Sequence, residues 1–301
     1  MTVGELKDLL MREVPDWKSV QEIRIRVGQP VFLYINGEEH MLDHRTADAG
    51  LVKEIMSIIS CYSLYAFEDE IRQGFLTIEG GHRIGISGKA VLDGREIRTI
   101  KDISGLNIRL AHQRIGCANQ VMPWRYVDGK LQNTLFISPP GAGKTTMLRD
   151  VIRQVSDGNI YGSGQTVSVV DERSEIGACV RGVPQCELGV RTDIMDRCPK
   201  VQGMLMMLRS MAPRVMAVDE IGTRYDMNAL FDVMKCGCRI LATVHGDSVE
   251  DIRKKRVLNE MMESGMFARY VVLSGIPHPG ILDGVYNETG QQIAGREEMK
   301  T

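Results

Sequence analysis

The sequence has 301 residues, of which 43% are apolar and 25% charged, and its 37 basic and 39 acidic side chains leave a formal charge of −2. That balance describes a globular chain with room for two ordinary domains and excludes a disordered or collagen-like one. It also excludes the global basic field of a nucleic-acid or anionic-membrane binder.

The first residues, MTVGELKDLLMREVPDW, interleave charges with apolar side chains, and no uncharged apolar run reaches the length of a membrane span. The expectation is a cytoplasmic protein without a signal peptide. EIRIRVGQPVFLYING alternates and ends on a turn signal, and Leu51, Ile55, Ile58 and Ile59 recur at helical spacing. FLTIEGGHRIGISGKAVLDGREIRTI reads as three strands punctuated by Gly80-Gly81 and Asp93-Gly94, an antiparallel meander. Residues 1–114 are therefore expected to form an α+β domain.

Past an irregular stretch the rhythm becomes strand, loop, helix. TLFIS, TVSVV, RVMAV and RILATV read as buried parallel strands. Val201, Met204, Leu205 and Leu208, and then Met227, Leu230, Phe231 and Met234, supply helical packing faces. Residues 115–301 are expected to form an α/β domain, a mainly parallel sheet flanked by helices. Cysteines 61, 117, 179, 186, 198, 236 and 238 form no CxxC pair, so reduced thiols are expected rather than a zinc site. The 18 methionines read as core fillers.

SPPGAGKT, residues 138–145, follows the strand TLFIS and differs from G-x-x-x-x-G-K-[ST] only in Ser138. Backbone N–H groups of such a loop converge on phosphates, and glycines permit the curvature. Pro140, Gly141, Ala142, Gly143, Lys144, Thr145 and Thr146 are the expected nucleotide contacts, Lys144 on the β and γ phosphates and Thr145 on Mg²⁺. RVMAVDEIG carries Asp219 and Glu220 to a strand end, where Asp219 suits the Mg²⁺ shell and Glu220 the attacking water. VVDERSEIG brings Asp171, Glu172 and Glu175 to the same edge, as further metal and water organisers or as ordinary helix-start charges. His245 ends the strand within LATVHG, placed to sense a γ-phosphate. Transition-state charge needs a cation, often a neighbouring subunit's arginine. Arg173, Arg181, Arg191 and Arg209 are candidates, with Arg209 placed among the catalytic residues, and Arg24 and Arg26 share a strand face that could meet a neighbour's core.

The ordered set SPPGAGKTT, VVDERSEIG, MLMMLRSMAPRVMAVDEIG and ATVHG resembles the secretion ATPase superfamily, the hexameric motors of type II and type IV secretion and pilus retraction. VRTDIMDRCPKVQGM is similar to a stretch of its sporulation branch. The resemblance implies a RecA-like P-loop core behind the N-terminal domain, with ATP and Mg as cofactors. In its terms Gly143, Lys144 and Thr145 belong to the Walker A motif, Glu172 and Glu175 to the acidic box, Asp219 and Glu220 to Walker B, and His245 to the histidine box. Two departures stand out: Ser138 replaces the usual glycine, and Asp219 stands where many of these motors have glycine. A homo-oligomer, a hexamer, is implied, working in the mother-cell cytoplasm and held at the membrane by membrane-embedded sporulation channel proteins. Two other readings compete with this motor: a nucleic-acid-stimulated helicase or loader, and a nucleotide-gated scaffold with little turnover.

Overall fold

A reciprocal capping box opens the chain. The Thr2 hydroxyl accepts from the Glu5 N–H at 3.2 Å and the Glu5 carboxylate from the Thr2 N–H at 2.7 Å, starting helix α1 (Val3–Glu13). The computed structural model describes residues 1–60, 71–72, 74–94, 96–275, 279–296 and 298, so Cys61 lies outside the described residues. Two compact units are present, Met1–His112 and Gln113–Thr301.

In the first unit the strands β1 (Val20–Arg26), β2 (Pro30–Ile35), β3 (Glu38–Thr46), β4 (Phe75–Ile78), β5 (His82–Asp93) and β6 (Glu96–Arg109) form one antiparallel sheet of order β3-β2-β1-β6-β5-β4. Val20, Ile23 and Ile25 of β1 face a core completed by α1 and α2 (Ala49–Ile59), while Arg24 and Arg26 point to the other side. The expected meander is β4–β5–β6, with Gly80, Gly81 and Gly94 at positive φ in its turns. The face expected on α2 is shifted. Leu51, Val52, Ile55 and Met56 are buried and Ile58 is 48% exposed, because the buried stripe is centred between the 51/55 and 52/56 rows.

The second unit begins with the short hairpin β7 (Tyr126–Val127) and β8 (Lys130–Leu131). Then come β9 (Thr134–Ser138), helix α3 (Lys144–Asp157), the hairpin β10 (Gly158–Asn159) and β11 (Gly162–Ser163), β12 (Val167–Asp171) and β13 (Thr192–Asp196). Helix α4 (Lys200–Met211), β14 (Val215–Val218), α5 (Arg224–Lys235) and β15 (Arg239–His245) follow. Helices α6 (Val249–Lys254) and α7 (Arg256–Glu263) precede β16 (Arg269–Ser274), β17 (Ile281–Asn287) and β18 (Gln292–Gly295). The main sheet has the order β13-β12-β14-β15-β9-β16-β17-β18, parallel from β13 to β16 and antiparallel beyond. This is the α/β fold expected, extended by strands the apolar runs do not announce.

Alternate residues of each central strand enter two cores. Phe136, Val169 and Ala217 pack under Met147, Leu148 and Val151 of α3. Ile137, Val170 and Val218 pack under Met204 and Met207 of α4 and Leu230 and Val233 of α5. Methionines 147, 204, 207, 216, 261 and 266 fill this interior. The parallel strands end together on one edge of the sheet, where an open α/β sheet has room for a ligand.

Candidate nucleotide-binding site

Strand β9 is buried along its whole length and brings the chain to the sheet's ligand edge at Ser138. Ser138 is still part of the strand, and its hydroxyl donates to the Pro139 carbonyl at 2.9 Å. The left-handed positions are Gly141 (φ +74) and Gly143 (φ +88), so the place where the motif asks for a first glycine does not require one here. A Cβ on Gly143 would come within 3.1 Å of the Gly280 nitrogen, and the Gly280 N–H donates to the Ala142 carbonyl at 2.8 Å. Gly143 also precedes the first turn of α3, which has no side-chain cap, so its N–H groups stay available to an anion. Thr146, three residues on, is half-buried, its carbonyl accepting from the Cys117 thiol.

Four elements meet at this loop. Lys144 Nζ, on a side chain only 7% exposed, lies 3.1 Å from Glu220 Oε1 and 3.4 Å from His245 Nε2. His245 Nε2 lies 2.8 Å from the same Glu220 oxygen, between a donor and an acceptor. Arg173 Nη1 takes the other oxygen, Oε2, at 2.8 Å. Thr145 Oγ1 donates to Asp219 Oδ2 at 3.0 Å, and Thr243 Oγ1 donates to Asp219 Oδ1. Burial alone would raise the Glu220 pKa, but hydrogen bonds and charge from Lys144, His245 and Arg173 outweigh it and hold the carboxyl below its ordinary range.

The Thr145 hydroxyl and the Asp219 carboxylate form a hard oxygen pair. Among the described residues no group of three His, Cys, Asp or Glu side chains gathers to hold a metal. That donor set fits Mg²⁺, which needs few protein oxygens when phosphates and waters supply the rest. Open clefts of about 480 Å³ and 500 Å³ flank Glu220, one lined by His245 and Lys255, the other by Lys200 and Tyr225.

The family model described as "Sporulation stage III, protein AA" matches residues 1–293. The chain belongs to the sporulation stage III protein AA family. It is 39% identical over 295 residues to stage III sporulation protein AA of Bacillus subtilis (strain 168), covering 97% of this chain and 95% of that one. Two solved structures share the fold of this family member with TM-scores of 0.61. They are the Legionella pneumophila ATPase DotB, at 15% identity over 90% of this chain and 76% of that one, and the pilus retraction motor PilT with bound ADP, at 13% over 90% and 78%. A stage III sporulation protein thus has the fold of secretion ATPases, a RecA-like core behind an N-terminal sheet domain.

The other residues expected at the site of this family member lie as follows. Glu172 is ion-paired with Lys200 at 2.7 Å, and Lys200 also donates to the Glu220 carbonyl at 3.0 Å. Asp171 is 1% exposed and accepts the N–H groups of Glu175, Ile176 and Gly177 at 2.8 to 2.9 Å, which shapes the loop after β12. Burial, then Asp196 beside it, push its pKa up to about 6 against those three bonds. Glu175 takes part in that loop through its backbone, its carbonyl accepting from Arg149 at 2.7 Å. Arg209 is exposed and folds back on the Leu205 carbonyl of its own helix at 3.1 Å. Arg191 holds the Ser156 carbonyl at 2.9 Å at the end of α3, and Arg181 is exposed in a tight turn at φ +51. Lys200 and Thr243 were not singled out from the sequence. One signal was available for Lys200: a cation in the first turn of a helix opposes the dipole and needs a local reason.

Proposed function

We propose that the chain is a Mg²⁺-dependent ATPase and works as a motor of the secretion-ATPase kind, in a hexameric ring that powers transport or assembly at the forespore channel. The observation that supports it is the convergence of Lys144, Thr145, Asp219, Glu220 and His245, from three separate stretches of the chain, on one edge of a parallel sheet. Phosphoryl transfer asks the protein mainly for positioning and charge. Lys144 and the α3 N-terminus meet the phosphates, Thr145 and Asp219 hold the metal shell, Glu220 orients the attacking water, and His245 reads the γ-phosphate. Glu172 supports this group from the acidic box. Membrane-embedded sporulation channel proteins are the expected partners from the mother-cell side. No helix among the described residues is long and apolar enough to cross the bilayer, so attachment through partners is the arrangement that fits.

The experiment is ATP binding by the full chain and by Lys144→Ala. The wild type is expected to bind Mg·ATP, and the folded variant is expected to lose tight binding because it loses the ammonium of the phosphate loop. Unchanged affinity in Lys144→Ala would overturn the reading. Stimulation of hydrolysis by single-stranded DNA would move it towards a helicase-like enzyme, and tight binding with no turnover by the assembled ring towards a scaffold.

A further inference from the structure

Glu220 has its backbone in the left-handed region, φ +51, where a side chain with a Cβ is strained. Such a conformation persists only where the surroundings over-determine it. Here both peptide groups of the residue are gripped from other elements. On one side, the Glu220 N–H donates to Thr243 Oγ1 at 2.9 Å as well as to Asp219 Oδ1 at 3.0 Å, and the Ile221 N–H donates to the Thr243 carbonyl at 2.9 Å. Thr243 is fully buried in β15 and its hydroxyl donates onward to Asp219. On the other side, the Glu220 carbonyl accepts from Lys200 Nζ at 3.0 Å.

Lys200 is an awkward residue to find there. Its side chain is 16% exposed, and it opens helix α4, where the dipole repels a cation. Two oxygens compensate, the Glu220 carbonyl and Glu172 Oε2 at 2.7 Å. An ammonium desolvated against a helix N-terminus in order to hold a main-chain carbonyl makes sense if that carbonyl has to stay where it is.

We infer that Lys200 and Thr243 are positioning residues that lock the Glu220 peptide groups in the left-handed conformation and so aim its carboxylate at Lys144, His245 and the water between them and the γ-phosphate. Glu172 then acts on the site as the counter-ion that orients Lys200. The inference rests on the reading of Glu220 as the residue that orients the water. It assigns to neither Lys200 nor Thr243 a contact with nucleotide.

The test uses the full chain with Lys200→Met, which keeps the aliphatic stem, Thr243→Val, which removes the hydroxyl, and Thr243→Ser, which restores it. Misplacing a reacting group by about 1 Å costs on the order of 100-fold. Turnover is therefore expected to fall roughly 10- to 100-fold in Lys200→Met and Thr243→Val, with the Kd for Mg·ATP within about threefold of wild type, and to recover in Thr243→Ser. A loss shared equally by binding and turnover, or Thr243→Ser as poor as Thr243→Val, would mean that these residues only stabilise the fold and would overturn the inference. A crystal structure of Lys200→Met supplies a readout that does not depend on activity. Residue 220 leaving positive φ supports the inference, and residue 220 staying there with its carbonyl in place overturns it. Glu220→Gln is the separate control on the reading beneath: wild-type turnover in that variant would remove Glu220 from the chemistry, while the backbone angle of the Lys200→Met crystal would still decide whether its peptide is held as described.

Discussion

Lys144 and Glu220 lie 3.1 Å apart, and in the proposed function a γ-phosphate would compete with Glu220 for the same ammonium. Glu220→Gln is therefore expected to bind ATP at least as tightly as wild type while losing about 10²-fold or more in turnover, the usual scale for a lost general base. Isothermal titration alongside a steady-state assay separates the two effects, and undiminished hydrolysis would shift the role to Glu172 or Glu175. The cations around Glu220 also set a pH dependence. With its pKa held below the ordinary glutamate value of about 4.3, the carboxylate remains ionised as pH falls through that value, and its contribution to stability is lost only as pH falls through the lowered value. The acid limb of a rate profile that is due to Glu220 should then lie below the ordinary glutamate range, and Arg173→Ala should move it upward. At this scale the sequence was informative where residue type and neighbours form a local motif, as for Lys144 and Asp219. It was silent on Thr243 and Lys200, whose partners are set by strand register and by where a distant helix begins.

A different single residue tests the core. Arg125 is fully buried, with Nε on Thr134 at 3.3 Å, Nη1 on the Met122 sulfur at 3.7 Å, the Phe136 ring 5.4 Å away, and Nη2 without a hydrogen-bond partner. Burial pulls its pKa down to about 10, still well above neutrality, so a charge is buried where no carboxylate among the described residues meets it. Arg125→Met keeps most of the volume and removes the charge. It is expected to stabilise the chain by about 1 to 4 kcal/mol, a rise of several degrees in the midpoint of thermal unfolding. A fall in that midpoint would show that the guanidinium has a stabilising partner in the core.

At the level of elements, the strands that could be read were those buried on both faces. TLFIS, TVSVV, RVMAV and RILATV become β9, β12, β14 and β15, because a strand covered on both sides is apolar throughout. β13, with the sequence TDIMD, is half-buried along its length at the sheet edge and carries no apolar run to notice. β16 is apolar, but the chain turns back from it in antiparallel fashion, so the strand–loop–helix rhythm that exposed the others stops there. The loop after β12 is held by the three N–H bonds to Asp171, two of them on Oδ2. Asp171→Ala orphans all three donors and is expected to cost about 3 kcal/mol, while Asp171→Asn retains one acceptor oxygen and should cost about 1 kcal/mol. The pH dependence has a definite sign. A carboxyl raised from about 3.9 in the unfolded chain to about 6 in the folded one binds more protons when folded between those values. The stability of wild type relative to Asp171→Asn should therefore decline as pH rises from about 4 to about 6 and level off above. Denaturant midpoints of both proteins across that range give the answer.

For the whole molecule, the question is whether one chain completes its own site. Arg173 already contacts Glu220, but it sits on the carboxylate rather than over the phosphate loop. An arginine supplied by a neighbour typically raises turnover by about 10³ to 10⁵. Arg26, Arg181 and Arg209 are exposed, and Arg24 is held by Glu22 at 2.9 Å, so the first three are the variants to make first. In the ring proposed here specific activity should climb steeply with protein concentration. Inactive Lys144→Ala mixed with an inactive variant of the responsible arginine should regain activity, since some mixed interfaces join an intact loop to an intact arginine. A rate strictly proportional to concentration in a monomeric sample, with no rescue by any pair, would mean the site is complete within one chain. The arrangement of subunits is the part the sequence conveys least, because a lone arginine has the same composition whether it faces solvent or a neighbour.

The strand that leads into the phosphate loop lies between β15 and β16, and the loop itself leans on Gly280. All of these partners are made after it on the ribosome. At roughly 5 to 20 residues per second, about 7 to 27 s separate the emergence of Ser138 from that of Ser274. For the first part of that interval, until Glu220 and then β15 are made, β9 is an apolar strand with neither neighbour and its lysine has no companion carboxylate; β16 arrives last. If the chain binds nucleotide as proposed, that ligand would be a poor template for the earliest folding of this domain. Competence to bind it would arrive late, when the last third of the protein closes around a strand made long before.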